Sequence, residues 1–196
     1  HPLNPQQQKR LIGKLRADPR VEYAEVDQKM YPLLTPNDTY YANQWHYYEP
    51  TAGINVTGVW DTYNGAGQVV AVIDTGITAH SDLSANIIAG YDFINDTATA
   101  NDGDGRDADP SDPGDWVAAD ECGAGQPAED SSWHGTHVAG TIAALTNNGL
   151  GVAGVAHGAH VQPLRVLGKC GGYTSDIADA IVWASGGTVA GVPANA

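Results

Sequence analysis

Val69-Val70-Ala71-Val72-Ile73-Asp74-Thr75-Gly76 is the stretch whose reading decides the fold. An unbroken apolar run, mostly β-branched and lying between Gly67 and Gly76, reads as a strand buried on both faces, as in parallel sheets covered by helices. Asp74 then stands at the carboxyl end of that strand. In open α/β sheets this rim presents loops and binds ligands.

Outward from the strand, the next decisive segment is His134-Gly135-Thr136-His137-Val138-Ala139-Gly140-Thr141. Val138, Ile142 and Leu145, interleaved with small Ala139, Gly140, Ala143 and Ala144, predict a slim buried helix. Gly135 permits close backbone approach, and His134 starts the helix, aimed out of the core. His160–Leu167 reads as a second strand. Tyr173–Ala184 reads as a second helix, capped by Thr174 or Ser175, with Asp176 in its first turn and Ile177, Ile181 and Ala184 inward. Ser185 ends it before a Gly186-Gly187 stop. This rhythm predicts an α/β protein: a doubly wound, mostly parallel sheet with helices on both faces, incomplete in this chain. At the amino end, Asn4-Pro5 opens a helix with Leu11, Ile12 and Leu15 on one face, and Asp18-Pro19 closes it. Val21–Val26 alternates as a strand, giving a small α+β element.

Asp74-Thr75-Gly76 alone is a weak signal, but with His134-Gly135-Thr136-His137-Val138-Ala139-Gly140-Thr141 before an alanine-rich helix it resembles the subtilisin-like serine proteases, the subtilases. The resemblance implies that His134 is the general base and that Asp74 fixes its tautomer and stabilises its cation. A serine hydroxyl is a poor nucleophile until such a base receives its proton. His137 is left outside the catalytic set as a structural group, and a His-x-x-His zinc site lacks a third ligand at a recognisable spacing. An aspartic protease would need a second Asp-Thr-Gly carboxylate from a partner copy and would leave His134 unexplained.

None of the seven serines, Ser81, Ser84, Ser111, Ser131, Ser132, Ser175 and Ser185, has the Gly-Thr-Ser-Met-Ala type context that the resemblance requires of a nucleophile. The expectation is that the nucleophile, the oxyanion-hole asparagine and the primary specificity pocket lie beyond Ala196, and that this chain alone is inactive. The resemblance further makes Gly168–Tyr173 an edge that pairs with the residues preceding the scissile bond, with Gly171 and Gly172 as pairing positions and Leu167 as an apolar wall. Residues 1–33 resemble the end of an inhibitory propeptide, with processing after Leu33 and 34–196 as the amino-terminal part of the catalytic domain. Six basic and four acidic side chains precede Leu34, whereas three basic and nineteen acidic ones follow it. A basic clamp on an acidic body is physically sensible.

Such acidity argues against a nucleic-acid partner, and no apolar stretch is long enough for a membrane span. Between Asn95 and Asp130 stand eleven acids and one arginine. Asp102, Asp104, Asp107 and Asp109, spaced by small residues, are candidate calcium ligands without the full EF-hand pattern. A second calcium site is implied by the resemblance: Asp38, Asp82 and Asn148, or Asn147 if Thr146 is an insertion, with the carbonyls of Leu145, Leu150 and Val152. Cys122 and Cys170 read as a disulfide rather than a metal pair, tying the acidic loop to the substrate edge at a gain of ~2–4 kcal/mol. Propeptide, calcium and disulfide together predict a secreted, extracellular endopeptidase whose partners are protein or peptide substrates, its own propeptide and the rest of its catalytic domain. The alternative is a non-enzymatic calcium-binding or propeptide-type inhibitor fragment.

Overall fold

The structure is a computed structural model describing residues 3–26 and 34–195. The chain forms two compact units, His1–Pro32 and Leu33–Ala196. The expected processing site after Leu33 lies outside the described residues.

In the first unit, helix α1 spans Pro5–Arg16 and opens on a capping box: Asn4 accepts from the Gln7 backbone and the Gln7 side chain accepts from the Asn4 backbone. Both orphan amide groups are satisfied reciprocally. None of its residues is buried. The expected strand at Val21–Val26 does not form among the described residues. Its alternation has no neighbouring strand there to complete a ladder, and Ala24 O instead accepts from Arg16 Nε at 2.7 Å.

In the second unit, β1 (Val69–Asp74), β2 (Tyr91–Asp92), α2 (Thr97–Ala100), α3 (His134–Ala143), β3 (His160–Arg165) and α4 (Thr174–Ala184) follow in chain order. The strands are parallel in the order β1-β3-β2. Alternation along the strands divides the core. Val72 and Val161 pack with Leu83, Ala139 and Ala143 under α3, while Ile73, Leu164, Tyr91 and Phe93 pack with Ala180 and Trp183 of α4. The two helices therefore cover opposite faces of one α/β sheet. A third cluster, Tyr47, Val56, Trp60 and Ala153, anchors the turns that precede β1.

β2 was not expected from the sequence. It pairs only through Tyr91–Leu164 and Asp92–Arg165, although Ile87 already bridges Val161. Between these contacts stands Pro163, which has no N–H to donate on the side facing the incoming chain. Its carbonyl would lie 1.8 Å from a Cβ on Gly90. Pairing is interrupted there, and the strand shrinks to two residues.

Two expected helix boundaries and one expected inward position shift. Helix α3 ends at Ala143, and Ala144 turns out of the helix with ψ 145°. Gly154 docks against that turn so closely that a Cβ on it would meet Ala144 N at 2.6 Å. Leu145 therefore lies beyond the helix, its N–H donating to Asp82 O at 2.7 Å. Helix α4 is entered from Tyr173, with no side-chain cap from Thr174 or Ser175. Asp176, Ala180 and Trp183 are buried, with Ile177 and Ala184 packed beside them as expected, whereas Ile181 is 51% exposed because it falls at the flank of that face. The glycine stop forms as expected: Gly186 has φ +81° and donates to Trp183 O, while Gly187 donates to Val182 O. These two bonds make a Schellman ending.

Candidate active site

Asp74 reaches the carboxyl rim because β1 ends there, and His134 meets it because Gly135 follows. A Cβ on Gly135 would stand 2.3 Å from Gly76 O and 3.2 Å from Asp74 Cβ. Only a residue without a side chain lets the start of α3 press against the end of β1. Trp133 enters the helix with φ +51° and provides no side-chain cap. Ser132 substitutes for it: its Oγ accepts from His134 N at 3.2 Å and donates to Asp115 Oδ2 at 2.7 Å.

His134 Nδ1 lies 2.8 Å from each oxygen of Asp74. An ionised carboxylate only accepts, so the ring donates from Nδ1 and, when neutral, leaves Nε2 free to take a proton. Asp74 is 8% exposed whereas the His134 side chain is 63% exposed, an anchored acid beneath an accessible base. Asp74 Oδ1 also accepts from Thr75 N at 2.8 Å. Thr75 Oγ1 donates to Asp112 Oδ2 at 2.8 Å and accepts from Gly135 N at 3.0 Å, joining β1, α3 and the acidic segment. Among the described residues no serine hydroxyl hydrogen-bonds the His134 ring.

A cleft of ≈480 Å³ opens beside the pair, lined by Thr75, Asp115, Ser132, His134, Leu167 and Gly171 among others. Leu167 and Gly171 thus stand where the expected substrate edge would be. Gly172 does not line the cleft, and a Cβ on it would be 2.1 Å from Val166 O. Gly168 and Gly171 exchange backbone hydrogen bonds of 2.8 and 3.1 Å around a turn in which Cys170 has φ +63°. Cys170 is bonded to Cys122, and Lys169 Nζ reaches Glu121 at 2.6 Å. The edge is stapled to the acidic segment both covalently and by charge. His137, outside the pair, is exposed and lines a separate groove along α3.

The two sets of candidate calcium ligands are placed differently. Among the described residues no three acidic, histidine or cysteine side chains converge as a metal group. In the acidic segment the carboxylates turn to the chain itself: Asp102 accepts from Arg165 Nη1 at 2.5 Å and from Asp104 N at 3.3 Å. Asp107 accepts from Asp109 N, and Asp109 from Ser111. Asp104 meets this set through its backbone N, which donates to Asp102 Oδ1.

Asp38 and Asp82 are buried under the loop of residues 145–152. Asp38 accepts from Asn147 N at 2.8 Å; Asp82 accepts from Asn148 Nδ2 at 2.7 Å and Val152 N at 2.9 Å. Leu150 N donates to Asn148 Oδ1 at 2.8 Å. Of the two asparagines, Asn148 places its side chain on Asp82. The Asn148 amide turns its nitrogen to Asp82 and its oxygen to Leu150 N, and the two buried carboxylates are hard oxygens of the kind calcium takes.

The sequence reading passed over several residues that build this region. Arg165 is 1% exposed and meets Asp92 and Asp102 through Nη1 and Ala100 O through Nη2. Arg106 reaches Asp176 at 2.5 Å, Asp179 at 2.7 Å and Phe93 O at 2.8 Å. An arginine between the apolar Leu164 and Val166 was the available signal for the first.

An acid-oriented histidine thus stands at the carboxyl rim of a parallel α/β sheet, beside an open cleft. The Subtilase family profile matches residues 65–195, and the chain belongs to that family. It is 65% identical over 186 residues to the "Extracellular protease" of Xanthomonas campestris pv. campestris, covering 95% of this chain and 32% of that protein. To the "Extracellular basic protease" of Dichelobacter nodosus it is 53% identical over 191 residues, covering 94% of this chain and 31% of that protein. A solved protease from Pseudoalteromonas arctica superposes with TM-score 0.81 and 64% identity over 83% of this chain and 48% of that chain. The chain thus spans about a third of the length of these curated relatives.

Proposed function

We propose that the chain supplies the acid–base half of a secreted subtilisin-type serine endopeptidase. The observation that carries this reading is the His134 ring held by Nδ1 on both Asp74 oxygens, with the opposite ring edge toward an open cleft. A serine hydroxyl from a part of the catalytic domain outside these residues loses its proton to His134 Nε2 as its oxygen attacks the peptide carbonyl. Asp74 stabilises the imidazolium, which then protonates the leaving amine as the C–N bond breaks. The acyl-enzyme is cleared by water through the same base. Leu167 and Gly171 hold the residues preceding the scissile bond, with Gly172 continuing the edge.

Residues 1–33 act in this reading as the end of a propeptide, and 34–196 as the amino-terminal part of the catalytic domain. Asp38, Asp82 and Asn148, with the Leu145, Leu150 and Val152 carbonyls, would hold calcium. There the ion would neutralise two buried carboxylates and fix the loop.

A fluorophosphonate probe tests the assignment. The chain as given should take no label. Joined to the remainder of a catalytic domain it should be labelled and should hydrolyse peptides. His134→Ala should lower kcat by about 10⁶-fold and Asp74→Asn by about 10⁴-fold. Peptide hydrolysis that survives His134→Ala overturns it.

A further inference from the structure

The buried Arg165 guanidinium lies outside the acid–base pair, yet it touches the segment against which the cleft edge rests. Its Nη2 donates to Ala100 O and its Nη1 meets Asp92 and Asp102. Ala100 is the last residue of α2, and the residue before it supplies the next link: Thr99 O accepts from Lys169 N at 2.9 Å. A Cβ on Gly168 would lie 2.1 Å from that same Thr99 O. Consecutive end carbonyls of a four-residue helix, which the helix itself leaves without partners, are therefore bound on one side by Arg165 and on the other by Lys169. Gly168, between them, closes the turn onto Gly171, which lines the cleft.

We propose that Arg165 is a positioning residue for the substrate edge, locking the 92–102 segment beneath Gly168–Gly171 so that the edge meets an extended peptide in fixed register. The proposal rests on the protease reading above. A guanidinium suits this task because its planar fork donates in several fixed directions at once, whereas an ammonium is a single point charge on a flexible stem. Main-chain pairing to a peptide depends on the spacing of a few backbone groups. Loosening the edge should weaken that pairing without touching the proton transfer at His134.

The experiment has two arms. In the chain joined to the rest of its catalytic domain, Arg165→Lys keeps the charge and removes the fork. KM for a peptide amide with four residues before the scissile bond should rise about tenfold, the equivalent of one or two lost hydrogen bonds. KM for a single-residue ester, which does not reach the edge, should change far less, and kcat should fall less than KM rises. Equal effects on both substrates, or none on the longer one, would overturn the proposal. In the chain as given, amide exchange at Lys169 and Gly168 should accelerate at least tenfold in Arg165→Lys while the amides of β1 and β3 keep their protection. Unchanged exchange at Lys169 would also overturn it. Should Arg165→Lys fail to fold, Asp102→Asn removes one guanidinium contact and should give the same pattern at smaller amplitude. Failure of the wild type to cleave peptides would count against the protease reading, whereas the exchange arm judges the clamp alone.

Discussion

Two carboxylate-rich regions of the second unit solve the same electrostatic problem in opposite ways. From Asp92 to Glu121 three acids meet basic side chains of the same unit: Arg165 serves Asp92 and Asp102, and Lys169 serves Glu121, while Arg106 of the segment reaches out to Asp176 and Asp179. Those are all three of the basic side chains that follow Leu34. Around Asp38 and Asp82 the buried carboxylates accept from amide groups, and no lysine or arginine of the unit is left to reach them. Buried charge is costly unless it is paired or bound to a metal. On the calcium reading proposed above, the difference points to the 145–152 loop as the place for an external cation.

The largest expected effect comes from breaking the internally neutralised side. Arg165→Met leaves Asp92 and Asp102 without their shared cation, and removing one partner of a buried pair typically costs about 3–5 kcal/mol. Urea unfolding of the chain should show a loss of that order. A loss within the ordinary range of surface substitutions would mean that the guanidinium does not carry the segment, and the contrast between the regions would collapse.

Calcium addresses the other side. At about 100 times its dissociation constant a ligand that binds only the folded state stabilises by about 2.7 kcal/mol. Added calcium should raise Tm, a chelator should reverse the rise, and Asp82→Asn should abolish the response. Asp102→Asn should leave it in place. The reverse pattern, a response lost with Asp102 and kept without Asp82, would place the cation in the acidic segment instead.

What the sequence made legible follows the same division between local and distant causes. β1, α3, α4 and the cap of α1 could be read because each depends on residues a few positions apart: a β-branched run, a small-residue face, an Asn-Pro opening, a glycine stop. Asp74 and His134 were legible because the motif around each is local, and Gly135, which lets them meet, sits inside one of those motifs. The two-residue β2 was not legible, since its length is set by Pro163, far along the chain. Arg165 with Asp92, and Thr75 with Asp112, are separated by 73 and 37 residues, and no spacing rule connects them. The expected strand at Val21–Val26 and the inward Ile181 fail for a related reason. Periodicity offers a face, but a neighbouring element must be there to cover it.

The smallest expected effect is a titration that reports the unneutralised side. His157 packs against the Trp60 ring, and burial holds its pKa below the ordinary imidazole value, partly opposed by a backbone hydrogen bond with Gly154 and then by attraction from the Asp38 carboxylate. The unfolded chain therefore takes up this proton first as pH falls. Stability linked to His157 is present above the ordinary imidazole range and is lost as pH falls through that range toward the lowered folded value. A calcium ion on Asp38 and Asp82 would cancel the Asp38 attraction and leave the Gly154 hydrogen bond alone to oppose burial, so the His157 pKa should move further down when calcium is added. The Cε1–H resonance followed against pH, with and without calcium, reads this directly. A pKa that stays put or rises with calcium would show that no cation neutralises Asp38, and the proposed division between the two regions would lose its metal-binding half.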